Sequence, residues 1–439
     1  MGLAAFQWDI RVGKLQERLS EGHISMINDI QVLHDEAGVG CLIIKADAWD
    51  DVNQRYRFLD EGVLSAGTVV WPYIGYGSAS RCLGRYVVAR KIAEYNNGGM
   101  QVHIEACDGM QRLRWCEKAR IFDLVVNDTL PVSLIALEHG LIPSISPLPA
   151  QAITRPRPVV KENGMTDLEF LQLFSKLYGY EPPHVEYVEG IGETLFLRAR
   201  MDTWMQTPVE TLWYRPSAKK WSFGAAQAQM ASLKIDDDTG DVPTAVEVVG
   251  FDADGKIVLV RAEYSPLGVQ VTKDYEWAKQ TDNYEAAGMV EDGVLLKLRV
   301  EGEGKSTLPG GGSFAEVSTL EGSAMIPVPD KSTAVVSGSF IESEVAAEEY
   351  AKSYFADKMG KSRLVEGEYS NIKGIEEFRV HSVYALDGVA NEHKDRIVIT
   401  SVRHNITKSS GHVVSFAGHT VVKPGTEATS SFAVISGVI

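Results

Sequence analysis

Spacing decides whether reactive side chains can act together, and in this chain most of them stand apart. The ten histidines are dispersed. His381, His393, His404, His412 and His419 fall near the end, yet they form neither H-x-x-x-H nor H-E-x-x-H, the spacings that bring two imidazoles to one metal ion. They read as hydrogen-bonded or solvent-facing strand residues, close to one another only in sequence. Cys41, Cys82, Cys107 and Cys116 contain no C-x-x-C pair and no zinc-like spacing with histidine, so they read as reduced thiols and not as a disulfide framework. Gly75-Tyr-Gly77 is followed by Ser80 in place of a third glycine, and Pro309-Gly-Gly-Gly-Ser313 lacks the lysine of a phosphate-binding loop. Asp236, Asp237, Asp238 and Asp241 make an acidic turn without a glycine and a distal glutamate at the offsets of a calcium loop. No G-x-S-x-G elbow precedes a helix, and the carboxylates are too numerous for counting to exclude a hydrolytic pair. On these grounds no catalytic, cofactor-binding or metal-ligating residue is assigned.

The elements that would have to position any such group sit in an acidic chain. Its 43 Lys and Arg stand against 59 Asp and Glu, a formal charge of −16, with no basic run to offset it. A surface that grips DNA or RNA must neutralise phosphates with clustered cations, so such binding is disfavoured, as is binding to anionic membranes. With 439 residues, 44% hydrophobic and 23% charged, the chain should fold into about two to four domains. No apolar stretch approaches the ~20 residues needed to cross a bilayer, and residues 1–10 lack the basic start and apolar core of a signal peptide. The expectation is synthesis in the cytosol without an export signal.

Period-two alternation and turn residues make residues 6–123 a run of strands. Ile24-Ser-Met26 with Ile30-Gln-Val32, Cys41-Leu-Ile-Ile44, Val69-Val-Trp71 and Tyr86-Val-Val88 are expected strands, and Tyr95-Asn-Asn-Gly-Gly99 should turn a hairpin into the alternating residues 100–106. The character then changes. Pro131 to His139 predicts a short helix, and residues 143–158 a proline-studded connector. Thr166-Asp-Leu-Glu169 is a capping box for a helix to about Tyr178, with Leu168, Leu171, Phe174, Leu177 and Tyr178 as its packing face and Gly179 as its left-handed stop. Glu193-Thr-Leu-Phe-Leu-Arg198 and Thr211-Leu-Trp-Tyr214 restore alternation.

A second β-rich region begins near Ser232, with strands Ala245-Val-Glu-Val-Val-Gly250 and Lys256-Ile-Val-Leu-Val-Arg261 across the turn Asp252-Ala-Asp-Gly255. Glu301 to Gly322 reads as an exposed loop or a long hairpin tip. Ser343 caps a second helix to about Met359, with Tyr350, Ala351, Tyr354 and Phe355 on one face and Gly360 as its stop. Phe378-Arg-Val-His-Ser-Val383, Arg396 to His404 and His412-Val-Val-Ser-Phe416 are the closing strands, the last two joined at Ser409-Ser-Gly411. No short-period repeat is visible.

The order of certain segments carries more than any one of them. Arg57-Phe-Leu-Asp-Glu-Gly62 is followed by Gly67 and Trp71-Pro-Tyr-Ile-Gly-Tyr-Gly77, and Leu83-Gly-Arg-Tyr86 leads to Asp108. Asp167-Leu-Glu-Phe-Leu171 leads through Tyr178-Gly-Tyr180 to Trp213-Tyr-Arg-Pro216, and Ile399-Thr-Ser-Val-Arg-His404 precedes Gly411 and Phe416. In this order they resemble the late control protein D and gp27-like family, the central tail hub (baseplate hub) proteins of contractile-tailed phages. The resemblance covers about residues 24–421 and departs at about 263–340, a long insertion, and after Pro424.

The resemblance implies a β-rich α+β fold with two tail-tube-type β-barrel domains, 1–126 and 216–423, and an α+β connecting unit at 127–215 that carries the helix at 166–178. The second barrel would hold the insertion and the helix at 343–359, and 424–439 would form a C-terminal tail. It implies a homotrimer whose two barrels per subunit set six around an axis. Such a hub joins a sixfold tail tube or tube-initiator protein to a threefold central spike, among other baseplate proteins of a virion assembled in the host cytoplasm. The implied role is structural and not enzymatic, with DNA passing through the lumen unbound. The alternatives are a cell-wall or polysaccharide hydrolase associated with a tail, or the hub of a tailocin or type VI-like injection apparatus.

Two expectations are added by physics. An acidic lumen would repel the phosphate backbone and let DNA slide. Phe432, Val434, Ile435, Val438 and Ile439 are too apolar for a free tail and should dock on the spike or a neighbouring subunit by strand addition. A deletion after Pro424 that left trimer and spike binding intact would exclude that contact.

Overall fold

Alternating side chains build the largest element of the computed structural model, a mostly antiparallel sheet of 14 strands. The structure describes residues 6–421, interrupted at 37, 77–78, 97–98, 123–128, 147–157, 215–229, most of 239–244, 253–256 and 371–377, with only separate strands described between 266 and 340. Ile27–Asp35 (β1) and Cys41–Asp47 (β2) send Ile30, Val32, Leu42, Ile44 and Ala46 to a buried face and leave the other face open. Tyr86–Asn96 (β3) and Gly99–Cys107 (β4) form the expected hairpin, with Gly99 at φ 133°. The second half of the chain supplies Ser232–Asp237 (β5), Arg363–Ser370 (β6), Arg396–Thr407 (β7) and Gly411–Thr420 (β8). Across the sheet the order is β3-β4-β2-β1-β7-β8-β6-β5, antiparallel at each step.

The two sets of strands are related by a shift of four. β1 to β4 and β5 to β8 take corresponding places in the same chain order, and the two sets meet where β1 pairs β7, from Asp29 opposite Thr407 to Asp35 opposite Ser401. A bulge marks the correspondence. Ala89 is the extra residue of β3 opposite Glu105 and Ala106, and Thr400 is the extra residue of β7 opposite Ala417 and Gly418. Before its bulge each strand pairs with a flanking strand of its own half, β3 with Val69–Tyr76 and β7 with Val383–Asp387. The repeat lies in topology and shares only alternation as a sequence pattern.

Apolar cores lie on the closed side of the sheet. Ile10, Phe58, Ile44 and Val88 belong to one beneath β1 to β4, and Met230, Tyr369, Val402 and Phe416 to another beneath β5 to β8. Leu171, Phe174 and Leu195 belong to a third, between the two sets in the chain. A fourth, with Val248, Val260 and Ala351, packs a helix on Ala245–Phe251 and Ile257–Ser265.

Among the described residues three longer helices punctuate the strands. Thr129–Glu138 (α1) meets the expectation near 131–139. Asp167–Tyr178 (α2) has the predicted capping box: Thr166 Oγ1 accepts from Glu169 N at 3.1 Å and Glu169 Oε2 accepts from Thr166 N at 2.8 Å. Gly179 ends it at φ 77°, and Leu168, Leu171 and Phe174 are buried, while Leu177 and Tyr178 are half-buried. Glu344–Lys361 (α3) begins at Ser343, whose Oγ accepts from Ala346 N at 3.1 Å.

Several expectations are corrected. α3 runs through Gly360, and the glycine serves contact instead of termination: a Cβ there would lie 2.8 Å from the Thr420 carbonyl oxygen. Residues 24–26 are not strand, because Glu21–Ile24 forms a helical turn before β1. Residues 378–382 turn instead of extending: His381 takes φ 60°, which a strand cannot continue, and Val383 begins the strand. The connector expected at 143–158 starts as a strand, Ile142–Ile145, parallel to Gly192–Leu197, while 147–157 lie outside the described residues. In the expected insertion, Phe314–Thr319 and Gly322–Pro327 pair as a hairpin, whereas 301–313 and most of the remaining insertion lie outside the described residues.

Candidate functional site

The face of the sheet turned away from the cores is a surface that β1 to β8 create together. Ion pairs dot it, all but one of those that follow running between strands. Lys45 lies 3.7 Å from Asp29, Arg90 3.9 Å from Glu105, His103 3.9 Å from Glu94, and Lys234 3.6 Å from both Asp236 and Glu366. Alternation adds Asp35, Asp47, Glu368 and Arg403 to the same face. Carboxylates therefore outnumber ammonium and guanidinium groups, and the face is acidic, as the whole chain is.

The two ends of the strand path are unlike. β5 is an edge whose alternation leaves Ser232, Lys234 and Asp236 exposed, with Asp237 exposed at its end. β3 is paired on its far side at Tyr86 and Val87 and bonded through Val88 to Gly67 and Thr68, and among the described residues nothing pairs with 90–96 on that side. An uncovered edge is a template for another strand.

Behind the sheet, residues that looked scattered converge. The β7–β8 hairpin puts His404 and His412 on one buried face, with His404 Nδ1 and His412 Nε2 at 3.1 Å and Tyr76 Oη 3.1 Å from His412 Nδ1. His34 Nε2 bonds Tyr86 Oη at 2.8 Å, and the rings of His184 and His381 lie 4.5 Å apart. The expectation that the late histidines are close only in sequence is thus wrong for His404 and His412, because a hairpin turn brings them together. Burial holds His34 and His412 down to about 4 and His184 to about 3. These imidazoles are neutral structural groups at pH 7.

Spacing also hid one cluster of metal-ligating types. Cys116, His139 and Asp167 each bring one ligand atom within 4.8 Å of the others. The buried Lys161 ammonium, however, sits 2.5 Å from the same Asp167 carboxylate and 2.9 Å from the Cys116 carbonyl, and Arg120 adds a guanidinium at 3.2 Å. Cations already fill the place an ion would take, so this is an ion-pair knot at the start of α2.

His34, Gly40, Asp108, His184, Glu186 and Arg379 line a cavity of about 20 Å³, room for a water and far too small for a sugar ring. Asp108, pushed well up by burial, accepts from Gly40 N and Met110 N, both at 3.0 Å. Glu36, pushed up to about 7 by burial and then by the Glu181 carboxylate, lies beside a network in which Arg200 meets Glu181 at 3.4 Å and Asp357 at 3.7 Å. Phe432, Val434, Ile435, Val438 and Ile439 lie outside the described residues. Among the described residues no helix is long and apolar enough to cross a membrane.

No protein-family model and no curated protein sequence matches the chain. Solved structures do. The tail protein from Neisseria meningitidis MC58 aligns over 96% of this chain and 99% of its own, at a TM-score of 0.54 and 12% identity. The 43 kDa tail protein of prophage MuSo2 from Shewanella oneidensis aligns over 94% and 98%, at 0.57 and 9%. The chain has a baseplate-hub-like fold. An E. coli component of the type VI secretion system, described as similar in structure to the T4 bacteriophage tail proteins gp27 and gp5, shares that hub-like fold over 95% of this chain and 78% of its own, at 0.51 and 7%. At such identities the likeness is one of fold, and it extends over nearly the whole chain.

Proposed function

We propose that the protein is a structural hub of a contractile phage tail baseplate: a homotrimeric adaptor between a sixfold tail tube and a threefold central spike, with a channel through which DNA leaves. The observation that carries this reading is the pairing of β1 with residues 401–407 of β7, set against residues 90–96 of β3, its counterpart, with which no described residue pairs on that side. β5 corresponds to β1. Seating β5 of one protomer on β3 of the next would repeat the internal junction, and three protomers of two repeats each would close the sheet around six positions. On this reading 1–126 and 216–423 are the two tube-type barrels, 127–215 connects them, and 424–439 is a tail available to the spike or a neighbour.

The open face then lines the channel. Its excess of carboxylates repels phosphate, so DNA passes without being held. The partners are the tube or tube-initiator protein, the spike and other baseplate proteins, and the place is the virion tail. The likeness to the type VI component supports a second reading, the hub of a related injection apparatus, which particles free of packaged DNA would favour.

Negative-stain imaging of the purified protein tests the assembly. A threefold particle with a ring of six lobes around a hole is expected. A compact monomer at micromolar concentration would overturn the adaptor.

A further inference from the structure

Cys41 and Cys107 stand directly opposite each other on β2 and β4. The ladder determines what kind of pair they make. Asp108 N donates to Gly40 O at 3.0 Å, and at the other end Ala48 N donates to Met100 O at 3.0 Å. Hydrogen-bonded positions alternate between those two, and Cys41 with Cys107 falls at a non-hydrogen-bonded position. There Cα atoms lie about 4.5 Å apart and side chains approach most closely. A disulfide spans Cα separations of about 4.4–6.8 Å, so the backbone need not move to admit one. Both cysteines are free and half-buried, and alternation places them on the open face.

We propose that Cys41 and Cys107 are a dithiol site that a low-molecular-weight disulfide, such as oxidised glutathione, converts into a cross-strand bond. Cys41 is the attacking group. Its thiol is drawn down to about 7, chiefly by a hydrogen bond with the Cys107 thiol, against burial and with help from the Arg114 guanidinium, while the same bond pushes Cys107 up. The Cys41 thiolate attacks one sulfur of the reagent, forms a mixed disulfide and releases one thiolate. Cys107 then gives up its proton and attacks the Cys41 sulfur, which expels the second thiolate. The protein loses two electrons and two protons, and the reagent gains them as two thiols.

The other cysteines lack this arrangement. Cys82 stands opposite Tyr73, donates to Gly84 O at 3.3 Å and is pushed up by burial. Cys116 accepts from Arg120 at 3.3 Å. The bond would staple the β2–β4 step in an oxidising medium. It rests on the ladder and on the surroundings of the two thiols, so it stands or falls apart from the hub reading.

The test equilibrates the full-length protein in glutathione buffers from reducing to oxidising, alkylates the remaining thiols, and maps peptides without reductant. One cross-link between the Cys41 and Cys107 peptides is expected, with Cys82 and Cys116 alkylated. Cys107→Ser should instead accumulate glutathione on Cys41, and Cys41 should alkylate about tenfold faster than Cys82 at neutral pH. Glutathione retained on Cys41 of the unsubstituted protein, free thiols at both positions in the oxidising buffer, or a cross-link through Cys82 or Cys116 would each overturn the proposal.

Discussion

Asp167 is the first residue of α2 and has no exposed surface. Its carboxylate takes hydrogen bonds from Lys161 at 2.5 Å, His139 at 2.7 Å and Arg120 at 3.2 Å, and Lys161 is as deeply buried. Asp167→Asn keeps the shape and removes the charge, leaving the ammonium with the Cys116 carbonyl at 2.9 Å. Breaking a buried pair from one side costs about 3–5 kcal/mol. That is roughly two to four powers of ten in the local opening equilibrium. Replacing both partners, Asp167→Leu with Lys161→Met, removes both charges and leaves Arg120 its contact with Glu138 at 2.6 Å. The double variant should therefore cost well below the sum of Asp167→Leu and Lys161→Met alone. Hydrogen exchange read by mass spectrometry on α2 peptides reports this directly, with exchange accelerating in Asp167→Asn and largely recovering in the double variant. Strictly additive costs, or exchange in Asp167→Asn within about threefold of the parent, would refute the claim that this ion pair anchors the helix.

The buried imidazoles give a pH prediction. His34, His184 and His412 have folded values near 4, 3 and 4, below the unfolded 6.5, so their contribution is present above about 6.5 and is lost as pH falls toward 4. Each group removes about 1.4 kcal/mol per pH unit in that window, and the urea midpoint should drop between pH 7 and pH 5; an unchanged midpoint would mean these rings are not held neutral. If the open face lines a channel as proposed, Glu366→Lys with Glu368→Lys in assembled particles should slow DNA ejection and make it depend on salt. Rates indifferent to both changes would dismiss the acidic lining.

Local signals were readable where neighbours in sequence are neighbours in space. The capping box at Thr166, the stop at Gly179 and the hairpin at 95–99 are of this kind. Alternation also told which residues of β2 and β4 face the core. It could not tell which strand lies beside which, so the β1–β7 junction was invisible, as was the contact of Cys41 with Cys107 and of His404 with His412. Two misreadings came from tertiary demands. Gly360 answers to the approach of β8 and not to helix termination, and the turn at His381 answers to its buried place, with its N–H donating to Ile399 O at 2.7 Å. The order of motifs carried the fold because it samples the whole chain, where each motif alone samples a few residues.

The shift-of-four repeat has unequal connections, and they sort by end. The turns that join β3 to β4 and β7 to β8 are both short and lie at one end of the strands. At the other end, β1 reaches β2 within residues 36–40, whereas the corresponding step from Asp237 to Arg363 carries α3 and the strands Ala245–Phe251 and Ile257–Ser265. In a closed ring of three such chains, one rim would present six nearly alike short turns. The other would carry, in each chain, one short turn with Val39 packed against the core of residues 110–199 and one bulky insertion, a threefold pattern. A sixfold neighbour at one rim and a threefold neighbour at the other would then each meet connections of their own symmetry.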